Sequence, residues 1–211
     1  MAKKTVRKGV LVGLLGESSN DTASVEALLG QRYGEQVQFV SISLGVTGSQ
    51  LDNPKFQHII RSNYRFKKPD LVVVTRDLDA PATDRAQQLK RKEFFRKMNQ
   101  GLENKGIYLL NIEAIETLIA ADIRVFNARY KCACVVPADP MTIADPAKFL
   151  KAATRPGQPH YDEGHCADLL GQVNYNEVVA NCRYFAAFDK KFAARLLTLV
   201  FPKESPLPSP T

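Results

Sequence analysis

Two aspartates two positions apart close an apolar run, Leu71-Val72-Val73-Val74-Thr75-Arg76-Asp77-Leu78-Asp79-Ala80-Pro81. A run of Val and Leu this short reads as a strand buried on both faces, as in a parallel sheet. Alternation along a strand sends side chains i and i+2 to one side. Asp77 and Asp79 are therefore expected to project together near the strand's C-terminal end, where Pro81 stops the ladder. Ligands of open α/β sheets bind beyond the carboxyl ends of the strands. Two carboxylates aimed at one point repel unless a cation lies between them, and an all-oxygen ligand set favours Mg²⁺ or Mn²⁺. The plainer alternative makes both residues part of a loop, with Asp79 starting a turn before Pro81.

Glu17 occupies the equivalent place after a first apolar run, Val10 to Leu15. If the two strands are neighbours, Glu17, Asp77 and Asp79 surround one or two divalent ions. Such a set clamps a phosphodiester and activates water. A helix starting near Asp21 would add a positive N-terminus for a phosphate. Arg76 and Lys131 are candidates to neutralise developing charge on a phosphate, and read otherwise as surface charges. His58, His160 and His165 have no spacing that suggests a triad or a metal cluster.

The charge balance names the kind of partner. The chain has 211 residues, a formal net charge of +7 and a pI near 9.2. The cations are clustered: Lys3, Lys4, Arg7 and Lys8; Arg61, Arg65, Lys67 and Lys68; then Arg85, Lys90, Arg91, Lys92, Arg96 and Lys97. Any one cluster reads as a solvated helix face. Two clusters flanking the Asp77 strand point to nucleic acid, with Arg85, Lys90, Arg91, Lys92 and Lys97 as the candidate backbone-binding residues. No run of 18 apolar residues spans a membrane, and the apolar run after the basic start is too short for a signal sequence. A cytoplasmic protein is expected. Cys132 and Cys134 are too close for an ordinary bridge; a zinc site completed by His165 and Cys166 is the alternative to reduced, buried thiols.

The elements needed to position these residues follow in order. Strands are expected at 10–15, 37–44 and 106–111, and from Leu71 through Asp77 and Asp79 to the stop at Pro81. Helices are expected at about 21–32, capped by Ser19 or Asn20, at 54–64 with Pro54 in its first turn, and at 83–104 with a very basic surface. Strands alternating with helices imply a mostly parallel four-stranded, Rossmann-like sheet. Residues 6–111 are read as this α/β core and 112–200 as a helical C-terminal extension, with helices near 112–122, 125–130, 146–150, 161–170 and 176–200. The proline-rich tail 201–211 is expected to be disordered. Phe185, Phe188, Phe192 and Leu196 form an apolar face, read as core, with a homo-oligomer face as the alternative.

Glu17-Ser18-Ser19-Asn20-Asp21 and Asp77-Leu78-Asp79 together resemble the Toprim signature, a Glu-Gly-x-x-Asp after the first strand and an Asp-x-Asp after the third. Ser18 replaces the usual glycine. Glu116-Thr117-Leu118-Ile119-Ala120-Ala121-Asp122 is similar to a helix of small bacterial Toprim-like proteins of the RloB and OLD-like kind, with Leu118 in place of Trp. The Asp145–Leu150 and Asn181–Phe185 segments look similar to that family's C-terminal helices, so the resemblance spans about residues 8–195. It implies a Toprim core and divalent metal held by Glu17, Asp77 and Asp79. Glu116 becomes a second-metal ligand or general base, with Glu113 a competitor. It also implies an antiphage defence role beside an ATPase partner.

Two functions from different classes fit these expectations. One is a Mg²⁺-dependent nuclease acting on DNA or on RNA such as tRNA. The other is a non-catalytic nucleic-acid-binding or assembly module of an ATPase complex. The chain has no GxxxxGK[ST] loop, so ATP handling would come from another subunit. A topoisomerase needs a tyrosine nucleophile on a large separate domain, for which 211 residues leave no room; a primase lacks its polymerase and zinc modules here.

Overall fold

The computed structural model describes residues 9–43, 50–155 and 159–201. The basic N-terminal run, most of the loop after the second strand, residues 156–158 and the tail from Pro202 lie outside the described residues. Four strands, β1 (Val10–Leu15), β2 (Val37–Ser41), β3 (Leu71–Asp77) and β4 (Gly106–Asn111), form one parallel sheet of order β2-β1-β3-β4. The α/β class and the four-stranded sheet expected from the strand–helix alternation are therefore present, with every pair parallel.

Three crossover helices join the strands: α1 (Ser19–Tyr33), α2 (Pro54–Lys67) and α3 (Arg85–Gly101). Their starts are set by side-chain caps on backbone N–H groups, Ser18 for α1, Asn53 for α2 and Asp84 for α3. The cap of α1 is thus one residue earlier than expected, because Ser18 and Asp21 form a reciprocal capping box. α3 is shorter than the expected 83–104, and β2 ends three residues early, at Ser41.

The period of two along β3 sorts its side chains between two cores. Val72 and Val74 join Ile60 and Tyr64 of α2 and Phe94 and Met98 of α3 on one face. Leu71 and Val73 join Val25, Leu28 and Leu29 of α1 on the other. That second core continues without a break into the C-terminal helices α4 (Thr117–Ala120), α5 (Ile123–Tyr130), α6 (Pro146–Thr154), α7 (Cys166–Leu170), α8 (Tyr175–Asn181) and α9 (Arg183–Val200). The helix expected at 112–122 is only one turn, and that at 176–200 is two helices broken at Cys182, whose backbone is extended. Phe185, Phe188, Phe192 and Leu196 are all buried in this core, so they do not form an exposed oligomer face.

A buried carboxylate ties the C-terminal helices to α1. Asp189 accepts hydrogen bonds from the hydroxyls of Tyr33 (2.6 Å) and Tyr175 (2.5 Å) and pairs with Arg32 at 3.3 Å. Burial and the Asp189 carboxylate push the Tyr33 hydroxyl up to about 12, so it stays a donor at neutral pH. Asp189→Ala strands two tyrosine hydroxyls in the core and is expected to lower unfolding free energy by about 2–4 kcal/mol. Urea melts of the two proteins measure this.

The four cysteines are free thiols, Cys166 and Cys182 fully buried, and among the described residues none joins a metal-binding group.

Candidate metal centre

β1 and β3 are neighbours and parallel, so both carboxyl ends open to the same rim of the sheet. Gly16 makes the exit of β1 tight. A Cβ there would lie 3.1 Å from each of Asp21, Thr22 and Thr75, and its absence lets α1 start directly over the end of β3. Glu17 follows. Its Oε1 accepts from Arg76 Nε at 3.0 Å and from the Asp77 backbone N–H at 3.3 Å.

Alternation along β3 puts Arg76 and Asp77 on opposite faces. Arg76, only 4% exposed, lies on the α3 side with its guanidinium 4.3 Å from the Phe94 ring centroid and a two-pronged bond to Asp52 at 2.8 Å on each arm. The surface-charge reading of Arg76 is therefore wrong; Lys131 is exposed, as that reading had it. Asp77 lies on the α1 side, where its Oδ1 accepts from Asn111 Nδ2 at 2.9 Å. The expected pairing of Asp77 with Asp79 does not occur. β3 ends at Asp77, Leu78 turns into the core, and Asp79 takes a left-handed backbone (φ 55°) that carries it to the buried Arg91 of α3. The Leu78 and Asp79 N–H groups still bond to the Asn111 and Glu113 carbonyls, and it is the left-handed backbone at Asp79 that breaks the strand's period of two.

The acidic residues therefore fall into two groups. Glu17, Asp52 and Asp79 neutralise the two buried guanidiniums on the α3 side. Asp21, Asp77 and Glu116 line one cleft of about 400 Å³ on the other side, with Ser18, Asn20, Ala147, Glu163 and Gly164. Glu116, 5% exposed, enters from the turn after β4 and accepts from the Tyr161 hydroxyl at 3.3 Å. Glu163 is paired with Lys151 at the mouth, while Asp21, Asp77 and Glu116 have no Lys or Arg partner among the described residues.

Their proton affinities reflect this. Burial, reinforced by the charges of Asp21, Glu17 and Glu116 and opposed by the Asn111 hydrogen bond, holds Asp77 well above the usual carboxylate range. Burial likewise raises Asp21 and Glu116. Glu17 is raised by burial despite Arg76. Among the described residues no three His, Cys, Asp or Glu side chains converge closely enough to enclose a metal ion as they stand.

The residues nevertheless fit a hard divalent cation. The donors are all carboxylate oxygen, they are not charge-compensated, and the buried Asn111 Oδ1 beside Asp77 has no partner. No protein-family model, curated protein or solved structure matches the chain. The site accordingly stands on its own geometry.

Of the candidate nucleic-acid contacts, Arg85, Lys90, Lys92 and Lys97 are exposed on α3, Lys97 in a 3.6 Å pair with Glu93. Arg91 is 4% exposed and bound to Asp79, which removes it from that surface. Glu113 does not line the cleft. Sequence reasoning missed Asp52, Asn111, Tyr161 and Glu163. Asn111 faces Asp77 through the β3–β4 register, which is set by strand pairing and not by local sequence.

Proposed function

We propose that this chain is a Mg²⁺- or Mn²⁺-dependent nuclease whose reaction occurs in the Asp21–Asp77–Glu116 cleft. The observation that carries the reading is the uncompensated cluster of raised carboxyls at the carboxyl end of two adjacent parallel strands. Asp77 is the central metal ligand, Asp21 and Glu116 line the same opening, and Glu17 stands beside Asp77. Asp79 leaves the ligand set. A bound divalent ion supplies Lewis-acid activation of the phosphodiester and of water.

The chain's own groups do the rest. Glu116, raised by burial and hydrogen-bonded by Tyr161, is placed to hold and release a proton at the cleft wall. The first turn of α1, with Ser18 and Asn20 on the cleft wall, offers a positive helix end to a phosphate. A Toprim relationship with an ATPase partner and a role in antiphage defence is part of the same proposal and rests on the sequence resemblance.

The test is cleavage of single- and double-stranded DNA and of RNA with Mg²⁺ or Mn²⁺, alone and with the product of the neighbouring gene. Asp77→Ala and Glu116→Gln are expected to lower the cleavage rate at least a hundredfold. Asp79→Asn should keep metal-dependent cutting. Cutting that survives Asp77→Ala rejects the site. Nucleic-acid binding with no cutting under either condition favours the assembly-module reading.

A further inference from the structure

Charge is strongly segregated along this chain. Residues 54–101 contain twelve Lys or Arg and five Asp or Glu, which equals the net +7 of the whole sequence. These residues include α2 and α3, which cover the same face of the sheet. α2 carries no acidic residue at all. Lys55, Arg61, Arg65 and Lys68 are exposed on it or at its end, and no ion pair involves them among the described residues. On α3, Arg85, Lys90 and Lys92 are exposed and equally unpaired, whereas Arg96 and Lys97 share Glu93. The two helices touch. A Cβ on Gly101, at the end of α3, would lie 2.7 Å from Arg61 Nε, so Arg61 rests against α3.

Apolar groups sit among these cations. Phe66 is 78% exposed, and Lys67 stands 5.6 Å from its ring centroid. Leu89 is 65% exposed on α3, and Ile59 is also exposed on α2. One exposed apolar residue is ordinary on a protein surface. An exposed aromatic ring on a helix whose only charges are positive is a different arrangement. A cationic track that follows a phosphate backbone and an aromatic face that stacks a base are the two components of single-strand recognition.

Topology gives the track a direction. Crossover helices run antiparallel to the strands of a parallel sheet. The first turn of α3 lies at the cleft end of the sheet, and the last turn of α2, with Phe66, lies at the opposite end. α2 has 14 residues, so it spans about 21 Å at 1.5 Å per residue.

We propose that the α2/α3 face is a binding track for single-stranded nucleic acid, running from Arg85, in the first turn of α3 at the cleft end of the sheet, to a stacking contact on Phe66. This extends the nuclease reading by naming the strandedness of its substrate. The binding itself requires no cleavage and is tested without it.

The experiment measures fluorescence anisotropy of labelled oligothymidylate and oligouridylate against the full chain in EDTA, over a salt series. Binding that weakens steeply with salt is expected. Phe66→Ala is expected to weaken it about tenfold without moving the thermal midpoint. Lys55→Glu and Arg65→Glu should weaken binding and flatten the salt dependence. Lys190→Glu, the same charge change on exposed α9, should do neither.

Failure of the wild-type chain to bind overturns the proposal. So does a Lys190→Glu effect as large as that of Arg65→Glu, which would mean bulk charge and not a track. Duplex binding as tight as single-strand binding and indifferent to Phe66→Ala also overturns it, as does capture by anionic phosphatidylserine vesicles through the same residues with no oligonucleotide binding. Binding intact in EDTA with no metal-dependent cutting would sink the nuclease reading and leave the track standing.

Discussion

Asp77→Asn is expected to yield a more stable protein that no longer responds to divalent metal. Burial and the carboxylates of Asp21, Glu17 and Glu116 hold the Asp77 carboxyl far above its usual range, against the opposing Asn111 hydrogen bond. A folded-state value raised in this way means that the native chain binds the proton more tightly than the unfolded chain does. The resulting stabilisation is fully present below the unfolded carboxyl value of about 4 and is lost as pH rises through the raised native value. An amide at this position cannot ionise, so it loses nothing over that range. It also brings an N–H toward Asn111, whose Oδ1 is buried without a donor.

The two melting curves should therefore coincide near pH 4 and separate as pH rises. At neutral pH the variant should gain about 1–2 kcal/mol, equivalent to about 2–8 °C in a chain of this size. Mg²⁺ or Mn²⁺ should stabilise the wild type by about 2.7 kcal/mol at a hundredfold excess over Kd, raising its midpoint, and leave the variant unmoved. Scanning calorimetry from acid to neutral pH, in EDTA and then in metal, gives both results. A gap between the curves that ignores pH would show that the Asp77 carboxyl is not the source of the strain.

Arg76→Met is expected to act in the opposite direction. The guanidinium is buried between Glu17 at 3.0 Å and Asp52 at 2.8 Å and lies over Phe94. Methionine fills the space over the ring but leaves Glu17 beside Asp77 without its paired guanidinium, with only the more distant Arg91 opposing its burial. Breaking a buried pair on one side costs about 3–5 kcal/mol. Asp52 is half exposed, with 51% of its side chain open to water, and solvent screening reduces its share. The lower end, about 3 kcal/mol, is the expected loss, or about 6–12 °C. Adding Glu17→Gln should recover part of it, since the pair is then removed from both sides. A double-mutant cycle by urea unfolding reads the coupling directly, and strict additivity would show that Glu17 does not depend on Arg76.

The parallel sheet was legible in the sequence because its determinants are local. Short Val- and Leu-rich runs, Pro54 at a helix start and caps such as Asp84 act within a few residues. The site was legible in part. Asp77 and Glu17 come together because β1 and β3 are adjacent, which the strand–helix alternation allowed but did not decide. Asp79 was misplaced because its position depends on where β3 stops, and that is decided by Leu78 finding the core. Arg76 looked like a surface charge, yet its burial requires Asp52, 24 residues away and carrying no signal of its own. Tyr161 and Glu163 reach the cleft only because the C-terminal helices share the α1-side core. No window of sequence around Asp77 contains that information.

The placement of Arg76 and Asp77 on opposite sides of one strand makes this region intolerant of any change in chain length. Deleting or inserting one residue within Leu71–Thr75 would swap the destinations of the two side chains. A guanidinium would enter the acidic cleft, and a carboxylate would be pressed against Phe94 beside Glu17 and Asp52. Both errors are electrostatic and they occur together, so a frame error in β3 is punished twice over, whereas neutral swaps such as Val73→Ile keep the frame and disturb only packing.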